Sequence, residues 1–66
     1  MENEIVFEKG KLYTMEQIEN EELIIYKQLT SGNIVFKKGS ITFWFYIKKN
    51  YINNTSTFEF LSYYSD

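Results

Sequence analysis

The chain has 66 residues, a net charge of −2, and no cysteine, histidine or proline. So short a chain removes only about 60% of its unfolded surface from water, which limits it to one domain over residues 1–66. Without Cys it has no disulfide, and without Cys and His it has no thiolate or imidazole ligand for zinc. It also lacks histidine as a general base, the residue that enzymes use most often in that role. We therefore expect no enzyme activity, no metal and no cofactor. The fold must rely on six Phe, six Tyr and one Trp.

One hexapeptide occurs almost twice. Residues 5–10 read IVFEKG and residues 34–39 read IVFKKG. The likeness stops there, so it is too short for a repeat architecture. Ile, Val and Phe favour strands, and Gly suits a turn that needs an unusual backbone angle. Both copies are thus predicted to be strands that end in turns at Gly10 and Gly39.

A helix start follows the first copy. Thr14 and Gln17 have the spacing of a capping box, in which each side chain bonds to the other residue's backbone amide. The spacing predicts a short helix near residues 15–21. A longer helix over residues 15–29, packed on a four-stranded sheet, is the alternative.

The remainder of the chain has the pattern of strands. Residues 22–29 carry apolar groups on both faces, and a polar turn at 30–33 joins them to the second hexapeptide. In residues 41–47 one face carries Phe43 and Phe45, which we expect in the core, and the other carries Trp44 and Tyr46. A polar loop then leads to a last strand that ends at Tyr63 and Tyr64. The predicted class is α+β: a small antiparallel sheet or partly closed barrel of about five strands, with one short helix after the first.

Charge is unevenly distributed along the sequence. Residues 1–22 contain seven glutamates, whereas residues 23–49 contain five lysines and no acid. Such asymmetry permits two faces of opposite sign. The main hypothesis is a non-enzymatic protein-binding module, in the narrowest form a phage or mobile-element inhibitor that occludes a functional surface of a host protein. Its predicted partner-binding residues are glutamates for steering and rings as anchors: Glu16, Glu19, Glu21, Glu22, Trp44, Tyr46, Tyr63 and Tyr64.

Two other functions are compatible with the sequence. A strand of rings bracketed by Lys37, Lys38, Lys48 and Lys49 resembles the surfaces that bind single-stranded nucleic acid. Exposed strands or tyrosines could also pair between copies in a homo-oligomer. The chain has neither an apolar run long enough to span a bilayer nor a basic, apolar leader at its start, so the expected location is the cytoplasm, without membrane contact.

Overall fold

Five antiparallel strands form one open sheet in this computed structural model, which describes residues 6–65. The strands lie in the order β1-β5-β4-β3-β2, and the helix follows β1 along the chain. The elements are β1 Leu12–Tyr13, α1 Met15–Asn20, β2 Ile24–Gln28, β3 Asn33–Lys38, β4 Ile41–Asn50 and β5 Thr55–Ser65. The predicted antiparallel sheet with one short helix is confirmed. The closed form of the prediction is not found, because β1 and β2 lie at opposite edges of the sheet and do not pair with each other.

The first hexapeptide does not form the strand that was predicted for it. Ile5 lies outside the described residues, and residues 6–8 have no regular secondary structure. The Lys11 N–H donates to the Glu8 carbonyl at 3.1 Å, which closes a turn in which Gly10 has a φ of 84°. Within this turn the Gly10 N–H donates to the Phe60 carbonyl of β5 at 2.8 Å, and the regular pairing of β1 with β5 begins at Leu12. The prediction was wrong because it relied on the β-propensity of Ile, Val and Phe. In the structure the Phe7 ring is buried in the core, and residues 6–8 do not pair as a strand.

The second hexapeptide forms the predicted strand and ends in the predicted turn. Its first five residues lie within β3, and Gly39, with a φ of 62°, begins the two-residue turn into β4. A glycine in the left-handed region at the first turn position suits the tight hairpins that match the twist of paired strands.

The helix begins where the capping box predicts. The Gln17 N–H donates to Thr14 Oγ1 at 3.2 Å, and the Thr14 N–H donates to Gln17 Oε1 at 2.9 Å. After residue 20 the helix ends, because Glu22 adopts a φ of 66° and its N–H bonds to the Glu19 carbonyl. The alternative helix over residues 15–29 is therefore wrong, since residues 24–28 pair with β3.

Two strand pairs contain a β-bulge. Ile25 lies opposite Phe36 and Lys27 opposite Val35, so Tyr26 is an extra residue in β2. The β4 and β5 strands pair along their whole length, and their register shifts once beside Trp44. Bulges increase local twist and re-aim side chains, so the alternation of faces changes at these points.

Rings from every strand except β2 pack on one side of the sheet, and Ile18 of α1 packs among them. Phe45 is completely buried, with the rings of Phe7, Phe36 and Phe60 centred 5.2–5.4 Å away in edge-to-face contacts. Edge-to-face pairs of this kind contribute about 0.5–1.5 kcal/mol each beyond their burial. The core is thus mostly aromatic, and its members are Phe7, Tyr13, Ile18, Leu23, Ile34, Phe36, Phe43, Phe45, Phe58 and Phe60.

The end of the helix gives a stability prediction. Glu22 occupies a left-handed conformation that side chains with a Cβ adopt at a cost. Glu22→Gly should therefore raise the free energy of unfolding by about 0.5–1 kcal/mol, measured as a higher urea midpoint. The matched control is Glu21→Gly, which removes the same charge one residue earlier at a φ of −87°. That variant should lose about 0.5–1 kcal/mol. Equal effects of the two variants would contradict this explanation.

Candidate protein-binding face

The two faces of the sheet differ in what covers them. The face that carries Phe43 and Phe45 packs against Phe7 and the helix, and we call it the core face. Alternation along β4 places Thr42, Trp44 and Tyr46 on the other side. The one helix among the described residues packs on the core face through Ile18, and no helix covers the second side, which we call the open face.

Strand register assigns the remaining members of the open face. Residues paired directly across neighbouring antiparallel strands share a face. One row runs Leu12, Glu59, Tyr46, Asn33. The next runs Ser62, Trp44, Val35, Lys27, and the third runs Tyr64, Thr42, Lys37, Ile24. The open face therefore combines rings, aliphatic groups and lysines from all five strands.

Aromatic and aliphatic side chains on this face remain in solvent. Tyr64 is 59% exposed and Ile24 is 68% exposed, while Leu12 and Tyr46 are also exposed. The Trp44 and Tyr64 rings meet edge to face with centroids 6.3 Å apart. Val35 is the exception, because it is buried yet does not belong to the core cluster. Its cross-strand neighbours are large enough to shield it, so the centre of the open face is already packed.

Tyr46 is held in place by a glycine. A Cβ on Gly32 would lie 2.8 Å from Tyr46 Cε1 and 3.1 Å from Cζ, so the phenol ring lies directly against the Gly32 backbone. Gly32 also needs its own φ of 103° in the turn between β2 and β3. This contact restricts the orientation of the Tyr46 ring in the free protein.

Three lysines lie among these rings. The Lys37 and Lys27 ammonium groups lie 5.0 Å and 5.4 Å from the centroid of the Tyr26 ring, within cation–π range. Lys37 is a member of the open face, so the Tyr26 ring lies there too. Lys48 Nζ is 3.2 Å from Glu59 Oε1, and Glu59 is the acid that the register places on this face. The open face is thus mildly basic, although the whole chain is acidic.

The structure separates the predicted ring anchors. Trp44, Tyr46 and Tyr64 lie together on the open face. Tyr63 lies opposite Phe43 on the core face, and the centroids of these two rings are 6.5 Å apart. The two adjacent tyrosines therefore point to opposite sides of the sheet, although both are about half exposed.

The predicted acidic residues lie elsewhere. Glu16 and Glu19 are on α1, and Glu21 and Glu22 are at its end, on the side of the sheet that the helix covers. Within residues 6–65, no group of three or more carboxylates comes close enough to hold a metal ion. Glu2 and Glu4 lie outside the described residues. A partner that binds one face of the sheet therefore cannot contact both the helix glutamates and the open-face rings.

The four lysines predicted to flank a nucleic-acid site also lie on different faces. Lys37 and Lys48 are on the open face, whereas Lys38 pairs with Ile41 and Lys49 with Ser56 in core-face positions at the strand ends. All four keep at least part of their side chain in solvent. The four lysines therefore do not form one continuous basic patch.

Sequence reasoning missed several members of the open face. Leu12 was not placed in a strand, and Ile24, Tyr26 and Lys27 were not considered as contact residues. Alternation in β2 could have identified Ile24, but the bulge that brings Tyr26 and Lys27 to the same side as Lys37 has no sequence signature.

In comparisons with known proteins, no family model matches the chain, and no curated protein or solved structure is significantly similar to it. None of the helices among the described residues has the length and apolar character needed to cross a bilayer.

The contact between Gly32 and Tyr46 can be tested by substitution. Gly32→Ala should destabilise the protein by about 2 kcal/mol or more, because it adds backbone strain and displaces the ring. Gly39→Ala is the control, since its φ is also positive but no atom lies within 4 Å of the added Cβ, and it should cost about 1 kcal/mol. In a Tyr46→Ala background the penalty of Gly32→Ala should fall toward that of the control. An unchanged penalty, measured by urea unfolding, would contradict the contact.

Proposed function

We propose that this chain is a small, non-enzymatic protein-binding module that contacts its partner through the open face of the sheet. The observation that carries the proposal is the grouping of Trp44, Tyr46 and Tyr64 on a side of the sheet that no described element covers. Trp and Tyr provide the largest share of binding energy in many protein interfaces.

Packing within the face supports this function. Trp44 contacts Tyr64 edge to face, and Tyr46 rests on Gly32, so the rings are already ordered in the free protein. Ordered rings lose little further conformational freedom when a partner covers them. The exposed aliphatic groups of Leu12 and Ile24 extend the apolar area to both sheet edges.

Charge indicates what kind of protein surface would fit. Lys27 and Lys37 are near the β2 edge, and Lys48 pairs with Glu59, which is the one ion pair on this face among residues 6–65. The complementary surface is therefore apolar and slightly acidic, with electrostatics affecting the association rate more than the affinity. The helix glutamates lie on the reverse side and would remain in solvent.

A phage or mobile-element inhibitor acting in the cytoplasm on a host protein is a narrower form of this proposal. It is supported by the small size of the chain and by its bias toward Ile, Asn, Lys, Glu, Tyr and Phe, without alanine or arginine. In this form the open face would occlude a functional surface of the host protein.

Single-stranded nucleic acid is the second candidate ligand. The observation in its favour is that Lys27, Lys37 and Lys48 lie on the same face as the rings. Against it, the Tyr26 ring already contacts two ammonium groups and Lys48 is paired, which leaves few free cations for phosphates. A protein partner is therefore the better-supported ligand.

A pair of adjacent tyrosines allows a direct test. We would replace Tyr64 or Tyr46 with p-benzoylphenylalanine, irradiate bacterial cells that produce the protein, and identify cross-linked products by mass spectrometry. The same residue in place of Tyr63 is the matched control, because Tyr63 is similarly exposed but faces the other side. We expect one discrete protein adduct from positions 64 and 46, and none from position 63.

The opposite pattern would overturn the proposal. Adducts from position 63 and from Glu19, but not from position 64, would move the contact to the helix side and support the acidic surface. For nucleic acid, a labelled single strand of about 20 nucleotides would be titrated at low and at physiological salt. Binding that disappears with salt and is strengthened by Glu59→Gln, which frees Lys48, would favour the second candidate.

A further inference from the structure

One edge of the sheet is a strand without a neighbour. β2 is the last strand in the order, and no described residue pairs with its outer side. All five of its residues are exposed, and Ile24, Ile25 and Tyr26 are each at least half exposed. An edge with free backbone groups and apolar side chains is a template for pairing with another strand.

The usual protections of such an edge are weak here. The strand contains no proline, and its single charged residue is Lys27. The helix does not cover it, because α1 packs beside β5 at the other end of the sheet. Besides Lys27, the one protective feature that this strand has is the β-bulge at Tyr26.

The bulge determines which backbone groups are free. The Leu29 N–H donates to the Asn33 carbonyl at 2.8 Å, so the backbone N–H and C=O of Leu29 point toward β3, which we call inward. Alternation along an antiparallel pair then directs the backbone groups of Gln28 outward and those of Lys27 inward. Beyond the extra residue Tyr26, the groups of Ile25 point outward again. The outward residues are thus three apart, whereas in a regular strand they are two apart.

We propose that the β2 edge pairs with the β2 edge of a second copy of this chain, antiparallel and about a twofold axis. A second copy has the same three-residue spacing, so Ile25 would pair with Gln28 of the other copy, and Gln28 with its Ile25. A regular strand from a different protein would match only one of these positions. The two sheets would join into one of ten strands, and the two open faces would be continuous.

Charge and area are consistent with a weak contact. Apart from Lys27, the paired segments are uncharged, so the two copies oppose only one like-charge pair. A stable interface takes about 800 Å² from each partner, about a sixth of the 5,023 Å² surface of this chain. Five residues of edge supply less than that, so we expect a weak dimer whose population depends on protein concentration. This inference does not depend on the ligand of the open face.

The first test is molecular mass against concentration, by analytical ultracentrifugation from about 5 µM to about 1 mM. We expect a monomer that converts to a dimer. Ile25→Lys should weaken dimerisation at least tenfold, because it adds a charge at the paired edge. The control is Ile52→Lys, the same change at a 98% exposed loop residue, which should leave dimerisation unchanged. Urea unfolding at low concentration would verify that both variants fold.

The second test examines the proposed register, in which Ile25 pairs with Gln28 of the second copy. The chain has no native cysteine, so Ile25→Cys and Gln28→Cys can be made separately and mixed under mild oxidation. Residues paired across hydrogen-bonded antiparallel strands have Cα atoms about 5.5 Å apart, within disulfide range. The mixture should form a covalent dimer much faster than either variant alone. A monomer at every concentration, a dimer insensitive to Ile25→Lys, or equal cross-linking of the mixture and the single variants would overturn the proposal.

Discussion

The packing of rings around Phe45 is the interaction on which the rest of the structure depends. Phe45 is fully buried in the middle strand, and Phe7, Tyr13, Phe36 and Phe60 surround it with centroids 5.2–6.4 Å away. These rings come from four different strands or segments, so the cluster fixes the register of the sheet as well as its stability. The chain has no cysteine for a disulfide and neither cysteine nor histidine for a structural zinc site, so its stability depends on this packing of rings.

A second constraint follows from the size of the chain. The only described helix has six residues, and it packs with Phe7 on the side where the rings are buried. Nothing comparable among the described residues is left to cover the other side. One short helix can cover only one face, so Tyr46 and Tyr64 are exposed on the other face and Trp44 is partly exposed there. Charge is separated along the same lines, since four glutamates lie on the helix or directly after it, whereas five of the seven lysines lie in strands.

Local chemistry explains which parts of this arrangement could be predicted from the sequence. The capping box at Thr14 and the glycine turn at Gly39 are set by neighbouring residues, and both were correctly predicted. The first strand was misplaced because the position of Phe7 is determined by the distant rings that it contacts. Pairing between strands also determines the bulge at Tyr26 and the opposite directions of Tyr63 and Tyr64. The sequence alone could not assign these residues to one face of the sheet or the other, so the predicted site residues lie on both.

The difference between the two faces can be measured most directly by NMR, as the relaxation of ring protons caused by a soluble paramagnetic agent. The protein should be dilute enough to be monomeric. We expect strong relaxation for Tyr26, Tyr46 and Tyr64, and almost none for Phe36, Phe45 and Phe60. Protection of Tyr46 and Tyr64 equal to that of Phe45 would mean that the open face is covered in the monomer, and would contradict the proposal that this face is available for binding.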